Sequence, residues 1–250
     1  MPPRFRLRHL VRLIVPLAAL AAGFSFEIPP VTVALSVAGQ PVPIVLSGTI
    51  AQSSESTFDF NLRADLGALQ DHITPLLQDE VNQSERCGDR IAIQHATLDP
   101  AAPAGRLTVQ LRFEKWACFK LMGKENAKRL VGGDGTVELL VRPAVEQGNA
   151  IRLDAEVGRI DAGGSLGELL RSGSVGNALR EKIRAALLKA VRKASNFETM
   201  LPPEAQPYLT ISSVAFGDTG AGRLALHADG NLNVPPQKAA GLLETFRKRK

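Results

Sequence analysis

Residues Ser174 to Phe197 carry apolar side chains at Val175, Leu179, Ile183, Ala186, Leu187, Ala190, Val191 and Ala194, the spacing of one continuous face on a helix of 3.6 residues per turn. Arg180, Glu181, Arg184, Arg192 and Lys193 fall on the other side. The pattern predicts an amphipathic helix roughly 35 Å long. Ser174 caps it, and Pro202 and Pro203 forbid its continuation. Most other stretches alternate with period two, so the helix needs a sheet to cover its apolar face. The expected fold class is α+β: strongly curved antiparallel sheet or sheets packed around one long amphipathic helix, with a candidate internal ββαββ repeat.

The two ends of the chain set its charge. Arg4, Arg6, Arg8 and Arg12 precede the apolar run Leu13 to Gly23, the order of a secretory signal. The run is shorter than the ~20 apolar residues of a spanning helix and contains Pro16. Residues 1–23 are therefore expected to be a cleaved signal peptide, with a short uncleaved anchor as the alternative. The formal charge of +5 falls to about +1 without them, and Arg247, Lys248, Arg249 and Lys250 leave residues 24–246 near −3. A basic face for nucleic acid is not expected. The tail is expected to be solvated, with contact to an anionic membrane surface as the alternative. About 227 residues remain, enough for one large or two small domains. The expected divisions are 24–130 for a first strand-rich half with a short kinked helix, 131–235 for a second half with the long helix, and 236–250 for the tail.

Strands are expected at Val31 to Val37, at Ile44 to Ile50 after a Gly39-Gln40-Pro41 break, and at Phe58 to Leu62. Val31, Val33, Leu35 and Val37 should share a face. A helix follows from an Asp65 cap to about Gln83, kinked or split by Pro75. Ile91, Ile93 and Leu98 then pair with Leu107, Val109, Leu111 and Phe113 across Asp99 to Gly105. Further strands cover Val137 to Val141, Ile151 to Val157, Leu209 to Phe216 and Leu224 to Ala228. The Ala104-Gly105-Arg106-Leu107 and Ala221-Gly222-Arg223-Leu224 stretches are what give the candidate repeat. A hairpin in which Leu98 pairs near Gly105 sets Cys87 nearly opposite Cys118, so a disulfide between these two exported cysteines is expected.

Motifs for chemistry all have a plainer reading. Gly163-Gly164-Ser165-Leu166-Gly167 matches G-x-S-x-G and precedes Asp218 and His227, the chain order of α/β hydrolases. The strands before it read as antiparallel hairpins, which do not build that elbow. Gly132-Gly133-Asp134-Gly135-Thr136 is similar to the GGDGT loop of lipid and nicotinamide-nucleotide kinases, and is expected to be a hairpin turn. His9, His72, His95 and His227 lack metal-ligand spacing, so no metal or cofactor is expected. Trp116 should pack against the disulfide or stand at a pocket rim. Asn82-Gln83-Ser84 is a glycosylation acceptor only in a eukaryotic secretory route.

The order of signal, antiparallel strands, a helix ending in Leu201-Pro202-Pro203, then a strand with Leu209, Ile211, Val214 and Phe216 and its partner after Gly222 resembles the tubular lipid-binding superfamily. That superfamily includes bactericidal/permeability-increasing protein and the synaptotagmin-like mitochondrial lipid-binding domains. The resemblance covers Thr136 to Val234 and, more loosely, Gln40 to Phe119. It implies a non-enzymatic exported protein of the periplasm or cell envelope that binds a lipid, an acyl chain or another apolar ligand in a sheet-helix groove or tunnel. The lining residues would be Leu179, Ile183, Ala186, Leu187, Ala190 and Val191 of the helix with Leu139, Leu153, Ile211 and Leu226 of the strands. The alternatives are a fully packed structural or interaction module of the envelope and, more distantly, a serine hydrolase using Ser165. Nothing in the sequence sets the oligomeric state.

Overall fold

The computed structural model describes residues 25–82, 87–121, 124–163, 167–168, 173–194 and 201–248. The expected signal segment and Ser165 lie outside them. Among the described residues nine strands form two antiparallel sheets. The first holds β1 (Ser25–Val37), β2 (Gln40–Gln52), β3 (Thr57–Asp65), β8 (Leu209–Asp218) and β9 (Leu224–Asn233), in the order β1-β2-β3-β9-β8. The second holds β4 (Gly88–Ala101), β5 (Ala104–Leu121), β6 (Lys124–Val145) and β7 (Ile151–Asp161), in chain order. The helices are α1 (Gly67–Asp71), α2 (Ile73–Val81), α3 (Ser174–Ala194) and α4 (Pro236–Lys248).

This corrects the expected fold class. The described residues are mostly antiparallel β in two sheets, and among them no curved sheet is wrapped around one helix. The physical reason is that α3 is not the only helix on the sheets: α2 packs on β4 and on α3, and α1 packs on β2. Leu46, Ile50, Phe58 and Leu62 of the first sheet and Leu107, Val109, Leu111 and Phe113 of the second are fully buried in one continuous core. Helix α3 adds one row to that core. The order of two strands, a helical segment and two strands occurs twice, as β2-β3-α1-α2-β4-β5 and β6-β7-α3-β8-β9, and in each the helical segment leads from one sheet to the other. Residue 130, taken from the sequence as a boundary, lies inside β6.

Local chemistry explains the departures in phase. Phe26 and Ile28 point inward at one end of β1, and Leu35 and Val37 at the other. Between them Pro29-Pro30 makes a bulge, with Ile28 opposite Gly48 and Val31 opposite Leu46. Proline cannot donate to the ladder, and β1 is an edge strand, where this is tolerated. From Val31 on the register is unbroken, so Val31, Val33, Leu35 and Val37 share a face, opposite Leu46, Ile44, Val42 and Gln40, although Val31 is 38% exposed. A bulge at Gln94 shifts β4 in the same way, with Ile93 opposite Leu111 and His95 opposite Gln110.

Pro75 splits the short helix as expected, but three residues upstream of itself. A proline ring collides with the carbonyl four residues back, so the chain breaks at His72 and Pro75 falls in the first turn of α2. Asp65 Oδ1 accepts the Gly67 N–H at 2.8 Å ahead of α1. The GGDGT stretch is not a turn. Gly132, Gly133, Asp134 and Gly135 lie within β6 opposite Glu114, Phe113, Arg112 and Leu111. A Cβ on Gly132 would stand 3.1 Å from the Phe113 carbonyl oxygen, which accounts for glycine in a strand. The C-terminal tail, expected to be solvated, is helical from Pro236 to Lys248.

Strand β8 joins the two sheets. Asn149, in the turn between β6 and β7, donates through Nδ2 to the Leu209 carbonyl at 2.8 Å and accepts the Ile211 N–H through Oδ1 at 2.8 Å. At the other end of β8 the Phe216 N–H donates to the Pro103 carbonyl at 3.0 Å.

Candidate functional site

Helix α3 brings one face against the rest of the molecule, and the ten residues expected to line a groove divide into three groups. All ten are buried. Leu179 and Ile183, at the N-terminal half of α3, meet Leu139, Val137, Val157 and Ile160 of β6 and β7 around a cavity of about 10 Å³, room for a single water. Ala186 and Ala190, one and two turns further on, help to form the floor of a cleft of about 310 Å³. Leu187, Val191, Leu153, Ile211 and Leu226 line neither space and belong to the packed core.

The larger cleft is built from three elements. Its apolar floor is Leu35 and Val37 of β1, Leu76 of α2, and Ala186 and Ala190 of α3. The alanines matter because a longer side chain there would fill the space. Its roof is the two-residue turn Ala38-Gly39, with φ of +48° and +78°, the left-handed pair that closes a tight hairpin. Its rim carries Asp79 and Glu80 of α2 and Lys189 and Lys193 of α3. Lys189 Nζ donates to Glu80 Oε1, and that bond, more than the accompanying attraction, holds the Lys189 pKa above its ordinary value. Arg192 anchors the same end of α3 by donating through Nε to the Ile151 carbonyl at 2.7 Å. The rim is thus charge-balanced above an apolar floor, an arrangement that suits an amphiphile with its polar end outward.

The sequence reading found Ala186 and Ala190 but missed the rim. The signal was present: Ala186, Lys189, Ala190 and Lys193 stand at i, i+3, i+4 and i+7, on one helix face. The contribution of the β1–β2 turn had no local signal.

A wider and more open cleft of about 630 Å³ lies on the outer face of the first sheet, where Pro29-Pro30 lifts β1 away from β2. It is lined by Phe26, Ile28, Ser47, Thr49, Asn61 and Arg63 among others. None of the ten expected residues is there. Elsewhere, the Asp218 carboxylate accepts the N–H of Gly220 at 2.7 Å within its own turn, while the His227 ring lies over Gly217. His72 Nδ1 lies 2.8 Å from the Ala68 carbonyl oxygen. Among the described residues no group of three or more His, Cys, Asp or Glu could hold a metal ion, and no helix is long and apolar enough to cross a membrane.

Cys87 and Cys118 are joined by a disulfide, with their Cα atoms 5.6 Å apart. The hairpin register differs from the expected one, since Leu98 pairs with Leu107, and the Gln94 bulge then brings Gly88 opposite Trp116. Trp116 has polar partners. Its indole N–H donates to Glu114 Oε2 at 2.9 Å, and the Arg90 guanidinium stands 4.5 Å from its ring centre. That indole bond, with Arg129 and Arg112 adding to it, lowers the Glu114 pKa.

No protein-family model matches the chain. None of the curated proteins or solved structures matches it either.

Proposed function

We propose that this is a non-enzymatic exported protein of the cell envelope that holds a lipid or other apolar ligand against α3, with the cleft at Ala186 and Ala190 as the binding site. The observation that carries this reading is the pairing of an apolar floor with a charged rim in about 310 Å³, at the lower end of the volumes that small ligands occupy. Kinship with the tubular lipid-binding proteins, drawn from the order of elements, is proposed with it at the level of function. A basic C-terminal end touching a membrane surface would suit a protein that exchanges such a ligand.

A second reading is favoured by the other cavity. At about 10 Å³ the space between α3 and β6–β7 admits no acyl chain, and a fully packed envelope module acting through its surfaces follows if the larger cleft is also unused.

Ala186 lies on the cleft floor, so Ala186→Leu fills part of the space, and unchanged thermal melting shows that the core is kept. A fluorescent acyl-chain probe should bind the parent protein at one site, and Ala186→Leu should weaken it by about tenfold or more. No binding, or equal binding to both, would favour the packed module.

A further inference from the structure

Strands β5 and β6 outrun the sheet they belong to. The last residue of β4 to pair with β5 is Gly88, opposite Trp116, and β7 leaves β6 at Thr136, opposite Asp161. From Ala117 to Leu121 and from Lys124 to Lys128 the two strands pair only with each other. This two-stranded arm extends about 16 Å past the sheet. It leaves from the end opposite to the Pro103 and Asn149 turns, where β8 is fastened.

Its surface is unlike the rest of the molecule. Phe119 continues the inward row of Leu111 and Phe113 beyond the last strand able to cover it, and is 46% exposed. Leu130 is squeezed out of the ladder where Lys115 opposes Val131 and Trp116 opposes Arg129, and is 59% exposed. From Lys115 to Leu130 the sequence carries five basic residues against Glu125, a net +4, whereas residues 24–246 as a whole are near −3. Lys120 and Lys128 are exposed, while Arg129 at the root of the arm donates to Glu114 Oε1 at 3.1 Å. The Cys87–Cys118 bond ties the root of the arm to β4, which holds a two-stranded ribbon that would be marginal alone.

We infer that the β5–β6 arm docks this protein on an anionic phospholipid surface, with Phe119 entering the interface and Lys120 and Lys128 meeting lipid phosphates. An exposed aromatic flanked by cations is the pairing that such a surface selects, because burial of the ring and attraction to the headgroups act together. This inference is independent of the cleft at α3. It also differs from a contact made by the C-terminal Arg-Lys residues, since the arm is a separate element with its own charge.

The test is flotation of the protein, purified from its own envelope, with vesicles of phosphatidylcholine containing 30% phosphatidylglycerol, and with phosphatidylcholine alone. Binding to the anionic vesicles is expected to fall by about tenfold or more in Lys120→Glu/Lys128→Glu. It should fall several-fold in Phe119→Ser, and decline as salt is raised. Lys120→Arg/Lys128→Arg should bind like the parent, and unchanged thermal melting shows that the variants fold. Equal binding to both vesicle types, undiminished binding by the charge-reversed arm, or loss of binding on removing residues 247–250 instead would overturn the inference.

Discussion

Arg223 grips Asp71 with both arms of its guanidinium, Nη1 donating to Oδ1 at 2.7 Å and Nη2 to Oδ2 at 2.8 Å. The pair fastens the turn before β9 to the end of α1, 152 residues apart in sequence. It also explains Gly67: a Cβ there would stand 2.7 Å from Arg223 Nε, so the helix begins with the residue that lets the guanidinium lie across it. The hydrogen bond from Arg223 is the main cause that lowers the Asp71 pKa.

A carboxyl held below its ordinary value in the folded protein binds fewer protons there than in the unfolded chain. Its contribution is therefore complete above the ordinary carboxylate range and is lost as pH falls through the lowered value. Asp71→Asn should flatten the decline of stability below about pH 4, read as the urea midpoint against pH. At pH 7 the change should be small, because both side chains are exposed. An acid limb unchanged in the variant would show that Asp71 does not contribute to it.

Closing the Cys87–Cys118 bond constrains a stretch with a sequence separation of 31. Its loss in Cys87→Ser/Cys118→Ser should cost about 2–4 kcal/mol, read by denaturant unfolding with and without reductant. The parent in reductant should match the variant.

Gly230 lies opposite Ile211 and Phe60, between β8 and β3. A Cβ there would stand 2.1 Å from the Thr210 carbonyl oxygen and 2.4 Å from Phe60 Cζ, and the backbone oxygen cannot move aside. Gly230→Ala should cost about 3 kcal/mol or more, or leave no folded protein at growth temperature. Gly241→Ala, with open space around it, is the control and should be neutral or slightly stabilising.

Much of the local structure was legible because period-two burial leaves its mark in the sequence. Phe58, Phe60 and Leu62, and Leu107 to Phe113, face the core as their alternation requires. Helix α3 shows its apolar face for the same reason. What the sequence did not show is which strands share a sheet. Pairing of β3 with β9 brings Phe58 to Leu232, and no local pattern specifies a partner so far along the chain. Bulges were equally hidden, since one extra residue at Gln94 or Leu130 shifts the phase of everything after it. The glycines of β6 read as a turn because glycine marks turns most often, whereas here Gly132 makes room for the neighbouring strand. For the candidate site, two alanines and two lysines on one helix face were readable, and the β1–β2 turn that roofs them was not.

The joint between the sheets rests on Asn149, which combines a left-handed backbone, φ +63°, with two hydrogen bonds to β8. Asn149→Ala should lose both bonds and strain the turn, costing about 2–3 kcal/mol. Asn149→Gly keeps the backbone and loses only the bonds, so it should lie between the parent and the alanine variant. Faster amide exchange confined to β8 in either variant would place the loss at this joint.

Ligand binding at α3 is tested most directly by native mass spectrometry of the protein purified from its own cells, followed by solvent extraction and identification of what is released. An acyl-chain species bound at one per chain, and absent from Ala186→Leu, is the predicted result. A clean apo mass for the parent, unchanged after incubation with lipids, would contradict it.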